Sequence, residues 1–417
     1  MWRNLSLKAL SLGLERGCRL AVTVAAAPIL GEAAFGRFVF ASTVTAFLVL
    51  AADLGLGTWS TRALARGRPE GDVVVRVGLG LRAVLALPYS IAVLVVAWSV
   101  DADTRVPVVL LGVASLLNAF ADHFGAILRG TERFALEARL STVRALMIIF
   151  VGGIALVVGR SLDALSIALA VASLGGALYG ATLTKRAHRL AWGGTADGPV
   201  AKGAIRESLP IWVAGILSLA YFKVDTLFVR GFAGDAELGA YGAAYKIFEG
   251  AMLLPSIVLA VTFPSLVRTG ADSVLRGHLE RRIAVGLLAL GLGTGAVAWL
   301  LRAPLVALLF GPQFAHATDC LRILAIGMPL VFLNYALTHF LVARHRERVN
   351  TVLSLMMLLA TVALDLLLIP RGAGPGAATA TVLSEALLTF MCLLALGALR
   401  ARPQPARGEA NTDQTQA

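Results

Sequence analysis

Twelve apolar stretches of membrane-spanning length follow one another along the chain, near residues 5–29, 36–62, 76–99, 106–128, 140–158, 162–184, 208–231, 239–267, 283–301, 318–342, 350–369 and 374–398. About 20 apolar residues cross the hydrocarbon of a bilayer as a helix. A backbone immersed in lipid must satisfy its polar groups internally, so stretches of this kind fold as helices. Of the 417 residues, 58% are hydrophobic and 15% charged, whereas a soluble domain carries about 25% charge. The expected fold class is therefore all-α, a polytopic membrane protein with 12 transmembrane helices.

The net charge of +12 raises the question of a nucleic-acid partner. The basic residues fall between apolar stretches rather than in one patch, so they mark topology and no nucleic acid is expected. Counted on alternate sides, Lys and Arg crowd one side: Arg62, Arg66, Arg76, Arg82, Arg129, Arg133, Arg139, Arg144, Lys185, Arg186, Lys202, Arg206, Arg268, Arg281, Arg282 and Arg344, with both chain ends. Arg37, Arg105, Arg160, Arg230, Arg302 and Arg371 stand on the other. The crowded side, with both termini, is expected to be cytoplasmic. Glu15, Arg16 and Arg19 interrupt the first apolar stretch, which reads as a retained helix rather than a cleaved signal. Cys18, Cys320 and Cys392 lie far apart, and the six histidines show no ligand spacing, so no disulfide framework, metal or cofactor is expected. There is no phosphate-binding loop for direct ATP hydrolysis. The segment Arg66-Gly67-Arg68-Pro69-Glu70 also lacks the Gly-x-x-x-Asp-Arg/Lys pattern of facilitator transporters.

The two halves resemble each other. LGEAAFGRFVFAS at 30–42 aligns with AGDAELGAYGAAY at 233–245, an offset of 203, each at the turn between the first and second helices of its half. LRGTERF at 128–134 aligns with ARHRERV at 343–349, an offset of 215, each after a fourth helix. With six spans per half and no change of orientation, the expectation is a parallel repeat with a substrate site between the halves; chance similarity between apolar sequences is the alternative. The corresponding division is an N-terminal six-helix lobe at 1–190, a cytoplasmic linker at 191–206, a C-terminal six-helix lobe at 207–400 and a disordered cytoplasmic tail at 401–417.

Residues 206–268 carry most of the chemistry. Lys223 and Asp225 sit in one apolar helix of this stretch, Lys246 and Glu249 in the next. Each ionisable group near a bilayer centre costs about 2.5–3.5 kcal/mol on the insertion scale, and such groups face a bundle interior or a wet cavity. Two explanations stay open: the four neutralise one another at matching depth, or they line a polar pathway. Arg16 and Arg19 share one face of the first helix, where Glu15 and Arg19 form an i,i+4 pair. The deep charges are not plainly cationic, because Glu15, Asp53, Asp122, Asp225, Glu249, Asp365 and Glu385 stand against Arg16, Arg19, Lys223 and Lys246. Asn118 with Asp122, and Asn334 with His339, are further candidates to line a cavity. Phe310-Gly311-Pro312-Gln313-Phe314 reads as a plain turn.

Several stretches in order, DLGLGTWSTRALAR at 53–66, YFKVDTLFVRGFAGDAELGAYGAAYKIFEG within 221–268, LFGPQFAHATDCLRILAIGMP at 309–329 and LIPRGAGPGAATATVLSEALL at 368–388, resemble the oligosaccharide-lipid (Wzx-type) flippases of the multidrug/oligosaccharidyl-lipid/polysaccharide exporter superfamily. The resemblance covers nearly all of 1–400. It implies two six-helix lobes around a central cavity. The implied activity is movement of undecaprenyl-pyrophosphate-linked oligosaccharide across the bacterial inner membrane by alternating access, for surface polysaccharide such as O-antigen or exopolysaccharide. It implies no enzyme activity. The implied partners are the lipid-linked oligosaccharide, membrane lipid, and the polymerase and chain-length proteins of the pathway. For that cargo Arg16, Arg19, Lys223, Arg230 and Lys246 are the substrate-binding candidates, and Asp53, Asp225 and Glu249 the ion-coupling candidates. A multidrug or metabolite exporter of the same superfamily is the alternative. A membrane glycan polymerase or ligase fits less well, because no outer connection is long enough to carry a catalytic platform.

Overall fold

A computed structural model describes residues 2–67, 71–188, 198–269, 273–344 and 346–400. Its helices are α1 (Trp2–Leu30), α2 (Glu32–Asp53), α3 (Leu56–Arg66), α4 (Gly71–Ser99), α5 (Ala102–Gly130), α6 (Phe134–Ile154, continued by a π-helical turn), α7 (Leu162–His188), α8 (Gly198–Ala251), α9 (Leu253–Arg268), α10 (Ser273–Leu300), the short α11 (Arg302–Phe310), α12 (Ala317–Ala343) and α13 (Glu347–Arg400). Two of these are hairpins drawn as one. α8 breaks at Gly234 (φ 86, ψ −178) and α13 at Ala373 (φ 47, ψ −128). Side chains then meet across each break: Tyr245 Oη donates to the Phe222 carbonyl at 3.1 Å, and Thr361 Oγ1 to Ser384 Oγ at 3.0 Å. Among the described residues nine stretches are long and apolar enough to cross a membrane, and the two hairpins raise that to eleven spans; α1, interrupted by Glu15, Arg16 and Arg19, is the remaining long helix of the twelve expected. Lipid-facing stripes confirm the class: Val84, Leu87, Ile91, Leu94, Val95 and Trp98 recur at helical spacing on α4 and are all exposed.

Of the expected linker, 191–197 lies outside the described residues and 198–206 forms the first turns of α8. Residues 68–70 of the Arg66–Glu70 segment and the tail 401–417 also lie outside them.

The internal repeat has a structural counterpart. Gly31 (φ 80, ψ 169) and Gly234 (φ 86, ψ −178), aligned at the offset of 203, turn the chain in the same way. That backbone region is open to glycine and closed to most other residues. In both halves the second span is then interrupted, by left-handed Leu54 and Gly55 between α2 and α3, and at Met252 between α8 and α9. α5 and α12 end on the same six-residue hydrogen bond, Arg133 N to Leu128 O at 2.8 Å and Arg346 N to Leu341 O at 3.0 Å.

The lobes α1–α7 and α8–α13 meet chiefly where α2 packs on α8. At the Gly31/Gly234 end, which we call the glycine end, contact is very close. A Cβ on Gly36 would lie 1.8 Å from the Asp235 carbonyl oxygen, and one on Gly239 would lie 2.0 Å from that of Glu32. The repeat thus presents the same patch from both sides, the hallmark of a two-fold contact. The Phe310–Phe314 segment is more than a turn. Both rings are fully buried and pack on Phe35 of the other lobe, at 6.4 and 5.8 Å, while Gln313 Nε2 donates to the Pro28 carbonyl at 2.9 Å. At the opposite end Trp212 Nε1 donates to Leu50 O at 2.9 Å. Breaking α2 at Leu54 leaves its last carbonyls without helical partners, and an indole from the other lobe fills one of them.

Candidate functional site

Between the lobes lies a cavity of about 830 Å³. Four basic side chains line it: Arg16 and Arg19 of α1, Lys223 of the first arm of α8 and Lys246 of its second arm. Among the described residues Glu249 is the one carboxylate on its wall. Hydroxyls from both lobes, among them Ser42, Ser115, Ser173, Ser218 and Tyr335, and the Asn118 amide complete the polar surface. Helical spacing explains the convergence, since Arg16, Arg19, Leu20 and Thr23 share a face of α1, as Lys246, Glu249 and Gly250 do on α8.

Glu249 holds both lysines, Lys246 at 2.7 Å and Lys223 at 3.6 Å, and the Lys223 ammonium also stands 4.7 Å from the centroid of the Tyr245 ring. Arg19 reaches Glu15 only loosely, at 3.7 Å. Arg16 makes no ion pair or hydrogen bond among the described residues. The cavity wall is therefore net cationic.

Arg230 departs from its expected place. It does not line the cavity; it bridges the lobes at the glycine end, bonding Asp235 at 2.7 Å and Asp101 at 2.6 Å with its guanidinium 3.8 Å from the Phe40 ring centroid. Arg37 extends this ladder to Asp103 at 2.8 Å and Asp235 at 3.6 Å. The seven-residue spacing from Lys223 put both on one face, but that face passes from cavity to seam.

The excess of acids resolves in the same way, because every deep carboxylate except Glu249 is held away from the cavity wall. Asp53, last residue of α2, pairs with Arg82. Glu15 and Asp122 share Arg144, at 3.1 and 2.6 Å. Arg82 and Arg144, which the sequence groups with the loop charges, are buried inside helices. Arg144 lies ten residues into α6, about 15 Å from its start. Glu385 accepts from Tyr221 Oη at 2.8 Å and Asn334 Nδ2 at 2.7 Å. Asn334 thus stitches α12 to α13, while Asn118 does line the cavity. His339 is bonded locally to Tyr335 O at 2.7 Å.

A family model described as polysaccharide biosynthesis protein matches residues 1–269. The chain belongs to the polysaccharide biosynthesis protein family. A second model, MatE, matches residues 210–367, and both place this family member in the superfamily of multidrug, oligosaccharide and polysaccharide exporters. Solved structures share its fold. The lipid II flippase MurJ in an inward closed conformation is 13% identical, with a TM-score of 0.74, covering 94% of this chain and 87% of that one. An inward-facing multidrug resistance MATE family transporter of the MOP superfamily is 14% identical, with a TM-score of 0.74 and coverage of 95% and 98%. A MOP superfamily transporter from Pyrococcus furiosus is 17% identical, with a TM-score of 0.64 and coverage of 95% of both chains. No curated protein sequence matches the chain.

The remaining candidate, Asp225, is buried beside the cavity rather than on its wall. Tyr241 Oη donates to its carboxylate, and the Thr226 amide does so at 2.7 Å. Asp365 of α13, fully buried, lies within electrostatic range of Asp225. Neither of its carboxylate oxygens has a hydrogen-bond partner among the described residues. Buried polar atoms are nearly always bonded, and Asp365 is the carboxylate among the described residues with both oxygens buried and unbonded. The sequence shows Asp365 as one more deep acid; nothing local separates it from the paired ones.

Proposed function

We propose that this protein is an alternating-access transporter that moves an anionic, lipid-linked glycan across the inner membrane through the cavity between its lobes. The observation that carries the cargo class is the wall itself: among the described residues, four basic groups to one carboxylate, set among hydroxyls from both lobes and the Asn118 amide. A diphosphate is drawn to cationic side chains, sugars hydrogen-bond to hydroxyls, and a polyprenyl tail can stay in lipid. In this reading Arg16 and Arg19 bind phosphate, since neither is tightly paired. Lys223 and Lys246 contribute the net positive charge left by their shared Glu249. Arg230 and the ladder around it hold the glycine end shut.

Asp53 is engaged by Arg82, and Glu249 by two lysines. Asp225, with Asp365 beside it, is then the ion-coupling candidate: Lys223 stands within electrostatic range but forms no ion pair with it among the described residues, and a buried carboxylate bonded only by neutral donors readily takes a proton or a small cation. Catalysis has no support. The connection 302–317 is taken up by α11 and the buried Phe310–Phe314 plug, and the fold is that of transporters.

A second reading, export of a drug or metabolite, is favoured by the MatE match over 210–367, which contains Lys223, Lys246 and Glu249. A net cationic wall fits an anionic metabolite better than a cationic drug. The two readings separate in cells. Replacing Arg16 and Arg19 together with Ala abolishes surface glycan export while the protein stays in the membrane; normal surface polysaccharide in that double mutant removes both residues from the mechanism.

A further inference from the structure

We propose that Arg144, outside the cavity, sets how strongly the cavity attracts anions by keeping Glu15 from neutralising Arg19; this rests on the anionic-cargo reading above. One carboxylate oxygen, Glu15 Oε1, is contested by two guanidinium groups, Arg144 at 3.1 Å and Arg19 at 3.7 Å. Arg144 has the closer hold. It is itself anchored by Asp122 at 2.6 Å and by Asn118 Oδ1 at 3.2 Å, and it is buried where Arg19 is half exposed. Asn118 in turn donates to Ser173 Oγ at 2.9 Å, and both of those residues line the cavity. The alternating chain Asp122–Arg144–Glu15–Arg19 therefore runs from exposed Asp122 on α5 through buried Arg144 to the cavity wall and ends there on a positive charge.

Remove the Arg144 guanidinium and Glu15 has one basic partner left, Arg19, four residues away on the same helix. An i,i+4 carboxylate and guanidinium close readily to a full pair. That closure draws Arg19 toward its own helix and cancels its charge at the point where cargo would bind. With Arg144 present, Glu15 is already satisfied and Arg19 stays available. Arg144 is thus a positioning residue: it is not on the cavity wall, although it bonds the wall residue Asn118, and it acts on cargo through Glu15.

The test is the affinity of the purified full-length protein in detergent for farnesyl diphosphate, measured by titration calorimetry. Arg144→Gln raises Kd about tenfold, the loss expected for one charged hydrogen bond. Adding Glu15→Gln to that variant removes the competing carboxylate and restores Kd to within about twofold of wild type. A merely structural Arg144 gives the opposite pattern, a double variant no better than the single one, and that result overturns the proposal. If Arg144→Gln fails to fold, Arg144→Lys takes its place: a single ammonium cannot hold Asp122, Asn118 and Glu15 together, so Kd rises and adding Glu15→Gln brings it back to within about twofold of wild type; no rise, or a rise that Glu15→Gln does not relieve, refutes the proposal. Wild-type protein that does not bind the probe overturns the anionic-cargo reading along with this one. Wild-type binding that Arg144→Gln leaves intact overturns this inference alone.

Discussion

Substituting Gly36 or Gly239 with alanine forces the lobes apart at the glycine end. The added Cβ would lie 1.8 Å from the Asp235 carbonyl oxygen in one case and 2.0 Å from that of Glu32 in the other. A carbon–oxygen contact settles at about 3.3–3.6 Å, so the seam must open by roughly 1.5 Å. The obstruction is rigid, since both atoms met are backbone. Overpacking of this kind costs about 1–3 kcal/mol, a factor of about 5–150 in the closed-to-open ratio. Alanine's better helix propensity, about 1 kcal/mol over glycine, works in the other direction, so weakening of the helix cannot account for a loss. The two clashes lie on the same seam, and a single displacement relieves both. The double variant therefore shifts the equilibrium little more than either single one, a non-additivity that independent sites would not show. Spin labels at Val106→Cys and Phe232→Cys, exposed positions on opposite lobes at this end, report the separation by double electron–electron resonance in a Cys18→Ser background. Gly17→Ala is the control, because its Cβ would meet nothing within 4 Å. A wild-type distance distribution in Gly36→Ala would refute the account of the seam.

Exchanging Lys223 and Glu249 (Lys223→Glu with Glu249→Lys) separates pairing from cargo contact: retained transport would show a structural pair, and the cavity reading predicts its loss, measured by export at matched membrane levels. Asp365→Asn removes a buried carboxylate without hydrogen-bond partners; gradient-driven accumulation is expected to fall to passive equilibration with no drop in Tm, and intact accumulation would exclude Asp365 from coupling. Trp212→Phe deletes the hydrogen bond to Leu50 O, worth about 0.5–1.5 kcal/mol. It should raise the cysteine reactivity of labels placed between α2 and α8 at that end, and unchanged reactivity would show the contact to be incidental.

The fold was largely legible in the sequence because lipid imposes a length on every helix and turns need permissive residues. The spans emerge from apolar runs, and Gly31 and Gly234 from an alignment of the halves. Within the site, Arg16, Arg19, Lys223, Lys246 and Glu249 were recognisable as charges too deep to be loops. What sequence could not supply was partnership across long separations. Arg82 and Arg144 look like topology markers until Asp53, Glu15 and Asp122 are seen beside them, each on a different helix. Arg230 shares a helical face with Lys223, yet Asp101, 129 residues away, takes it into the seam. The balance of deep charge followed the same logic. An excess of acids along the chain becomes an excess of bases around the cavity, because most of the acids are satisfied inside the lobes.

Transport by purified protein in liposomes tests the central claim most directly. A fluorescent polyprenyl-diphosphate oligosaccharide on one leaflet should reach the other at a rate that Arg16→Ala/Arg19→Ala reduces to the protein-free background, with no comparable movement of a cationic dye. Equal glycan transfer by wild type and the double variant, or transfer of the dye in place of the glycan, would contradict a cationic cavity built for anionic lipid-linked cargo.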